Sequence, residues 1–268
     1  MSTDSEVFEH RFLVRPIVAT DIGHAWHNVL GSIVDQGVVQ EVRGKQTKEL
    51  LNVQLTVLDL TQNILVNYRR QLNYRFMVAE CLWIIDGRDD VEYLARFNSK
   101  MREFSDDGKT LAGAYGPRLQ PQWSYIFNSI LVDKASRQAV ASIWTPNPPP
   151  SKDIPCTISF QFLIRDDRLN MVVNMRSSDV WLGLPYDFFT FSMCAIRLAE
   201  GLGLKPGALT MNLASSHLYQ DHYVIAEQAL FELSMTVRTK PLANLDVYRN
   251  LLETVSTSRE MIECLENL

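Results

Sequence analysis

The chain has 268 residues, 46% of them hydrophobic and 21% charged, the balance of a globular protein that buries a core without metal or disulfide staples. A formal net charge of −5 argues against a nucleic-acid-binding surface and leaves room only for a local basic pocket. No apolar run reaches the ~18–20 residues that span a bilayer, the opening MSTDSEVFEHRF lacks a signal-peptide pattern, and Cys81, Cys156, Cys194 and Cys264 are spaced for neither a zinc cluster nor a disulfide framework.

One domain over residues 1–268 is therefore expected, cytoplasmic, with free thiols and no metal. Along it, residues 17–37 have helical apolar spacing closed by Gly37, and residues 50–60 alternate like a strand. Helical spacing returns from Arg69 to Ile85 and ends at Asp86-Gly87, then again from Gln122 to about Ala135, while Ala139–Trp144 reads as a strand. Thr157–Ile164 and Leu169–Met175 alternate on either side of Asp166-Asp167, which predicts a hairpin. Pro185–Leu202 is a strongly apolar helix stopped by Gly203, Leu209–Leu213 is another strand, and a helix is expected from about Tyr219. The fold class is α+β: a mixed sheet packed with several long helices.

Four features carry chemistry. Cys156 follows Pro155 at the entrance to the hairpin, and Arg176, Ser177, Ser178 and Asp179 lie at its far end. The turn Leu182-Gly183-Leu184-Pro185 leads into a helix whose first turn holds Asp187, and His217 and Tyr219 follow in SSHLYQDH. A cysteine one strand from an arginine can have its thiolate stabilised, as a nucleophile requires. On position alone, the commoner reading of Cys156 is a small buried hydrophobe, of Arg176 a surface ion pair, and of His217 a hydrogen-bonded structural residue.

Taken together, these segments resemble the thymidylate synthase family. Its Pro-Cys nucleophile motif and following strand correspond to Pro155-Cys156 and Phe160-Gln161-Phe162, and its Arg-Ser-x-Asp to Arg176-Ser177-Ser178-Asp179. Leu182-Gly183-Leu184-Pro185-Tyr186-Asp187 is similar to its Leu-Gly-x-Pro-Phe-Asn turn, and Gly203-Leu204-Lys205-Pro206-Gly207 to its Gly-Leu-Lys-Pro-Gly segment. His217-Leu218-Tyr219, Glu80-Cys81-Leu82-Trp83 and Tyr115-Gly116 are similar to three further motifs. The resemblance is dense from about 74 to 223 and thin before 40 and after 230.

It implies a thymidylate synthase-like fold, a homodimer formed through the sheet, and one-carbon transfer to C5 of a pyrimidine nucleoside 5′-monophosphate, with 5,10-methylenetetrahydrofolate as co-substrate. Cys156 would add to C6, making C5 the nucleophile toward the folate's one-carbon unit. Arg176 would bind the phosphate and favour the thiolate. Ser177 and Ser178 belong to the same binding motif. Glu80 would order water and move protons at the base, and Tyr115 would assist removal of the C5 proton. His217 and Tyr219 would hold the sugar 3′-hydroxyl, Asp179 would anchor the pterin, and Asn73 would lie at the folate. Arg43 is similar to the family's N-terminal phosphate arginine, although its neighbours RGKQTKE fit poorly. Of the two adjacent arginines that cross the family's dimer interface to the partner's phosphate, one has its counterpart in Arg137; Gln138 stands where the other would be.

Where the synthases carry Asn, this chain has Asp187. An amide matches O4 and N3–H of uracil with one donor and one acceptor. A carboxylate accepts only; it fits the N4 amino group of cytosine, and a proton shared with N3 would complete the pair and make C6 more electrophilic. Facing O4 of uracil, the ionised form would leave a buried mismatch of about 1–3 kcal/mol. The Asp resembles the deoxycytidylate (dCMP) hydroxymethylase branch, of phage type, as do residues 163–166 and 172–177. Met101-Arg102-Glu103-Phe104 lacks the synthases' water-shielding tryptophans, and Glu263–Leu268 lacks their apolar closing tail, so water rather than hydride is expected to attack the exocyclic methylene. The alternatives are a dCMP C5-methyltransferase, a dUMP thymidylate synthase with a tolerated variant, a CMP hydroxymethylase, and a silent nucleotide- or RNA-binding relative.

Overall fold

The computed structural model describes residues 13–239 and 245–268. Its strands are β1 Arg15–Ala19, β2 Val38–Val42, β3 Lys45–Val57, β4 Ile64–Val66, β5 Val140–Ser142, β6 Thr157–Arg165, β7 Arg168–Met175, β8 Ser178–Asp179, β9 Lys205–Tyr219 and β10 Met235–Val237. The helices are α1 Ile22–Gln36, α2 Tyr74–Ile85, α3 Val91–Ala95, α4 Gly116–Leu119, α5 Trp123–Val132, α6 Leu184–Gly201, α7 Tyr223–Leu230, α8 Asp246–Thr254 and α9 Ser258–Asn267.

Among the described residues eight strands form one mixed sheet in the order β1-β3-β9-β7-β6-β5, with β2 on β3 and β8 on β9; β4 and β10 pair separately. The long strand β9 runs antiparallel to β3 and parallel to β7 and β8. Helix α6 is apolar almost all round, with Phe188, Phe189 and Phe191 buried, and Phe191 meets Phe160 of β6 edge-on at 4.9 Å. The alternate strand residues form the other face, where Gln54 donates to Asn212, Asn212 to Asn174 and Asn174 to Ser159, each at 3.0 Å. Val18, Val140 and Ile158 are exposed apolar strand-side residues.

The hairpin forms as predicted, because Asp166 and Asp167 both adopt positive φ, 53° and 55°, as a two-residue turn matching strand twist requires. Elsewhere the boundaries move. Residues 17–19 lie in a strand, not a helix, since α1 starts only after Asp21, whose side chain caps His24 N–H at 3.0 Å. Residues 69–72 are not helical, because the Asn67 side chain accepts from the N–H groups of Arg69 and Arg70, both at 3.0 Å. β9 has 15 residues rather than five and ends on Tyr219, so the expected helix starts at Tyr223 after a 3₁₀ turn. The predicted 122–135 helix is shorter, Trp123–Val132. α8 and α9 were not foreseen, although α9 opens with a Thr257/Glu260 capping box.

Trp26, fully buried in α1, donates its indole N–H to Val180 O at 2.7 Å and packs on Trp181 at 5.7 Å. This ties α1 to the segment directly after Asp179. Trp26→Phe leaves that carbonyl without a donor and is expected to lower stability by about 2–4 kcal/mol, read as a lower urea midpoint with unchanged slope.

Candidate active site

Cys156 sits half-buried where the chain enters β6, and Arg176 leaves β7 beside it. Arg176 Nη2 donates to Ile154 O and Nε to Pro155 O, both at 2.9 Å, and its backbone N–H donates to Cys156 O at 2.9 Å. Nη2 also lies 3.8 Å from Cys156 Sγ, and the guanidinium stands over the Trp144 ring at 5.9 Å. The arginine thus holds the cysteine's backbone as well as its sulfur. Burial nonetheless raises the thiol pKa above its ordinary value; Arg176 opposes this, while Asp187, Asp153 and Asp179 add to it. The expected net stabilisation of the thiolate by Arg176 is therefore outweighed in the free protein.

Helices α2 and α6 bring Glu80 and Asp187 together. Burial, then repulsion from Asp187, pushes Glu80 up to about 8. Burial, then Asp179, pushes Asp187 up to about 7. Both keep part of their surface open, so these are proton-holding carboxyls within reach of a ligand. Tyr115 precedes α4 and its hydroxyl accepts from Thr157 N–H at 3.3 Å and Thr157 Oγ1 at 3.1 Å. Burial, with Asp187 and Cys156 adding, holds its phenol well above the ordinary value.

Asp179 Oδ1 accepts from the N–H groups of Trp181 and Leu182, both at 2.8 Å, while Oδ2 is buried without a protein partner. The parallel register sets Asp179 against His217, and Ser178 against Ser216. Ser178 is buried with an unpartnered hydroxyl, whereas Ser177 is half-buried. His217 and Tyr219 meet edge-on at 5.2 Å. Burial draws His217 below the ordinary imidazole value against the pull of Asp179 and Glu49. Tyr219 is raised by burial, with Asp179 and Cys156 adding and Arg43 opposing. Arg43 is exposed in the β2–β3 turn, at φ 53° beside Gly44.

Arg137 stands apart from this cluster, whereas Asn73 borders it, its backbone N–H donating to the hydroxyl of Tyr186, beside Asp187, at 3.0 Å. Arg137 is exposed at the sheet edge, its carbonyl accepting from Gln161 Nε2 at 2.9 Å, and Gln161 lies five residues along the chain from Cys156. Asn73 caps α2: its Oδ1 accepts from Phe76 N–H at 3.0 Å and its Nδ2 donates to Phe97 O at 2.9 Å, so both ends of its amide are engaged by the chain. Four neighbours went unnoticed in the sequence. They are Asp153, Trp144, Glu49, which is the register partner of His217 on β3, and Arg70, which stands over Trp181 and Tyr186 at 5.6 and 5.5 Å. None lies in a motif; Glu49, Trp144 and Arg70 arrive through long-range contacts, and Asp153 through its place three residues before Cys156. Among the described residues no group of three or more His, Cys, Asp or Glu could hold a metal, and no helix is long and apolar enough to cross a membrane.

The raised carboxyls have a linked effect on stability. From about 4, the ordinary carboxylate value, to about 8, the folded protein binds protons at Glu80 and Asp187 that the unfolded chain has released. Stability therefore falls as pH rises through that window and levels off above it. The double variant Glu80→Gln/Asp187→Asn is expected to flatten the decline by roughly 2–4 kcal/mol, read from denaturation midpoints across pH.

A profile described as thymidylate synthase matches residues 24–260. The chain is also 31% identical over 218 residues to the deoxyuridylate hydroxymethyltransferase of Bacillus phage SP01, a match covering 73% of this chain and 56% of that relative. The chain therefore spans little more than half of the relative's length. On the profile match and this degree of identity, the chain belongs to the thymidylate synthase family.

Proposed function

We propose that this protein transfers a one-carbon unit from 5,10-methylenetetrahydrofolate to C5 of dCMP and releases the hydroxymethyl product. The observation that carries the reading is the pair of proton-holding carboxyls, Glu80 and Asp187, from α2 and α6, with Asp187 acting electrostatically on both Glu80 and Cys156. A pyrimidine ring bound there would meet a nucleophile for C6 and an acid for its N3/N4 edge. Asp187 with its proton donates to N3 and accepts from the N4 amino group. Drawing N3 toward protonation makes C6 the better electrophile for Cys156, so one contact recognises and activates.

The remaining residues take complementary roles. Arg176, with Ser177, Ser178 and Arg43, receives the phosphate, and Arg137 of a second protomer would complete that site in a homodimer. His217 and Tyr219 hold the sugar, and Tyr115 lies where a proton leaves C5. The folate supplies the one-carbon unit at the oxidation level of formaldehyde. Its pterin fits Asp179, whose buried Oδ2 has no protein partner and would accept from an N–H donor.

Two observations support water as the nucleophile of the final step. The phage relative is named a hydroxymethyltransferase. The segment Ser99–Phe104, lacking the shielding tryptophans, buries no residue and leaves Phe104 47% exposed. That relative's name also favours a second reading, dUMP as substrate: a protonated Asp187 can donate to O4 and accept from N3–H. Cytosine remains the better partner because N3 is a ring base and holds a shared proton more firmly than a carbonyl oxygen.

Incubation with dCMP or dUMP and methylenetetrahydrofolate separates these readings by product mass and folate oxidation state. Hydroxymethyl-dCMP with tetrahydrofolate is expected; a methyl product with dihydrofolate contradicts the reading, and Cys156→Ala should abolish turnover. Asp187→Asn is expected to move the ratio of kcat/KM values toward dUMP by about 10–100-fold. An unchanged ratio would remove Asp187 as the discriminator.

A further inference from the structure

We propose that Asp153 is a positioning residue for Cys156: its carboxyl staples the loop that carries the thiol to the loop that carries Tyr115. The proposal rests on the reading of Cys156 as nucleophile. Asp153 Oδ2 accepts from Gly113 N–H at 2.7 Å. Two residues beyond Gly113, the Tyr115 hydroxyl bonds Thr157. The two loops are therefore joined on both sides of Cys156, three residues before it and one after.

Between these staples Arg176 holds the carbonyls of Ile154, Pro155 and Cys156. Every residue from 153 to 157 thus has a partner outside the segment. The fit at Gly113 is close: a Cβ there would lie 2.8 Å from Asp153 O and 2.9 Å from Asp153 Oδ1. Further out, Ser151 Oγ donates to Asp106 Oδ2 at 2.6 Å and Lys152 N–H donates to Asp106 Oδ1 at 3.2 Å, so the same two loops are joined again.

Charge alone does not account for an acid at this position. Asp153 faces the thiol together with Asp187 and Asp179, against Arg176, and with the Tyr115 and Tyr219 phenols nearby; it opposes thiolate formation. Its own surroundings hold Arg118 and Asp106, and burial raises its pKa. A group that disfavours the thiolate yet reaches Gly113 in a short bond serves through geometry. Holding a nucleophile within a fraction of an ångström of its attack position is a large share of what such a site contributes.

The test uses Asp153→Asn, which keeps an acceptor for Gly113, Asp153→Ala, which removes it, and Gly113→Ala, which breaks the contact from the other side. Alkylation of Cys156 by iodoacetamide, followed by peptide mass spectrometry between about pH 6 and 10, reads the thiol without substrate. Asp153→Ala and Gly113→Ala should react about 10-fold faster than the parent, and Asp153→Asn within about 3-fold of it. In turnover, Asp153→Ala should lose about 10-fold or more in kcat with a smaller change in nucleotide KM, and Asp153→Asn should restore most of it. Parental alkylation or parental kcat in Asp153→Ala overturns the proposal, as does an Asp153→Asn variant as impaired as Asp153→Ala. If the parent itself shows no turnover, the proposed function fails, and the order of alkylation rates still decides the role of Asp153.

Discussion

The guanidinium of Arg176 is bonded to the two backbone carbonyls that precede a cysteine, and the rest of the site is arranged around that fact. Two consecutive carbonyls and the sulfur itself draw on Nε and Nη2, and the arginine's own N–H fixes a third carbonyl. A guanidinium has five N–H donors in a rigid fork, and none of these bonds uses Nη1. The same group can therefore hold the Cys156 loop and still present a donor to an anion. Lysine, a single point charge, could not satisfy two carbonyls in fixed directions and also face outward.

The cation is needed because the surroundings are acidic. Asp153, Asp179 and Asp187 all raise the Cys156 pKa, Asp187 raises that of Glu80, and Asp179 raises that of Asp187. The sheet creates this crowding. β9 runs parallel to β8 on one side and antiparallel to β3 on the other, so Asp179, His217 and Glu49 fall in one row across three strands. α2 and α6, packed together through apolar faces, deliver Glu80 and Asp187. Glu80 and Asp187, buried without an ion-pair partner, hold their protons instead, which turns a packing cost into a pair of proton donors.

Much of this was legible in the sequence where the signal is local. The hairpin was readable because its turn requires two residues tolerant of positive φ, and α6 because its apolar run exceeds any strand. The cluster of Cys156, Arg176, Asp179, Asp187, His217 and Tyr219 was readable because each stands in an ordered motif. β1 and β2 were missed because they are short edge strands, half of whose residues face solvent and show little alternation. The start of α2 was misplaced because the Asn67 side chain offers its neighbours' N–H groups an alternative to the helix. Glu49 and Asp153 acquire their meaning only from strand register and loop contact, which no periodicity encodes.

The replacement of an amide by Asp187 alters the site's dependence on protons more than its shape. An amide presents donor and acceptor at every pH, so an Asn can serve uracil without any titration. A carboxyl presents both only while it keeps its proton, and burial beside Asp179 raises Asp187 to about 7, which lets it do so near neutrality. On the proposed reading, a ring that supplies a basic N3 would place the proton between two bases and retain it to higher pH than the free acid would keep it. A ring that supplies only carbonyl oxygen would offer no second base, and the contact would weaken as the acid ionises. The proposed distinction between the two pyrimidines at this position is therefore one of proton affinity. It depends on the same desolvation that makes the acid costly to bury.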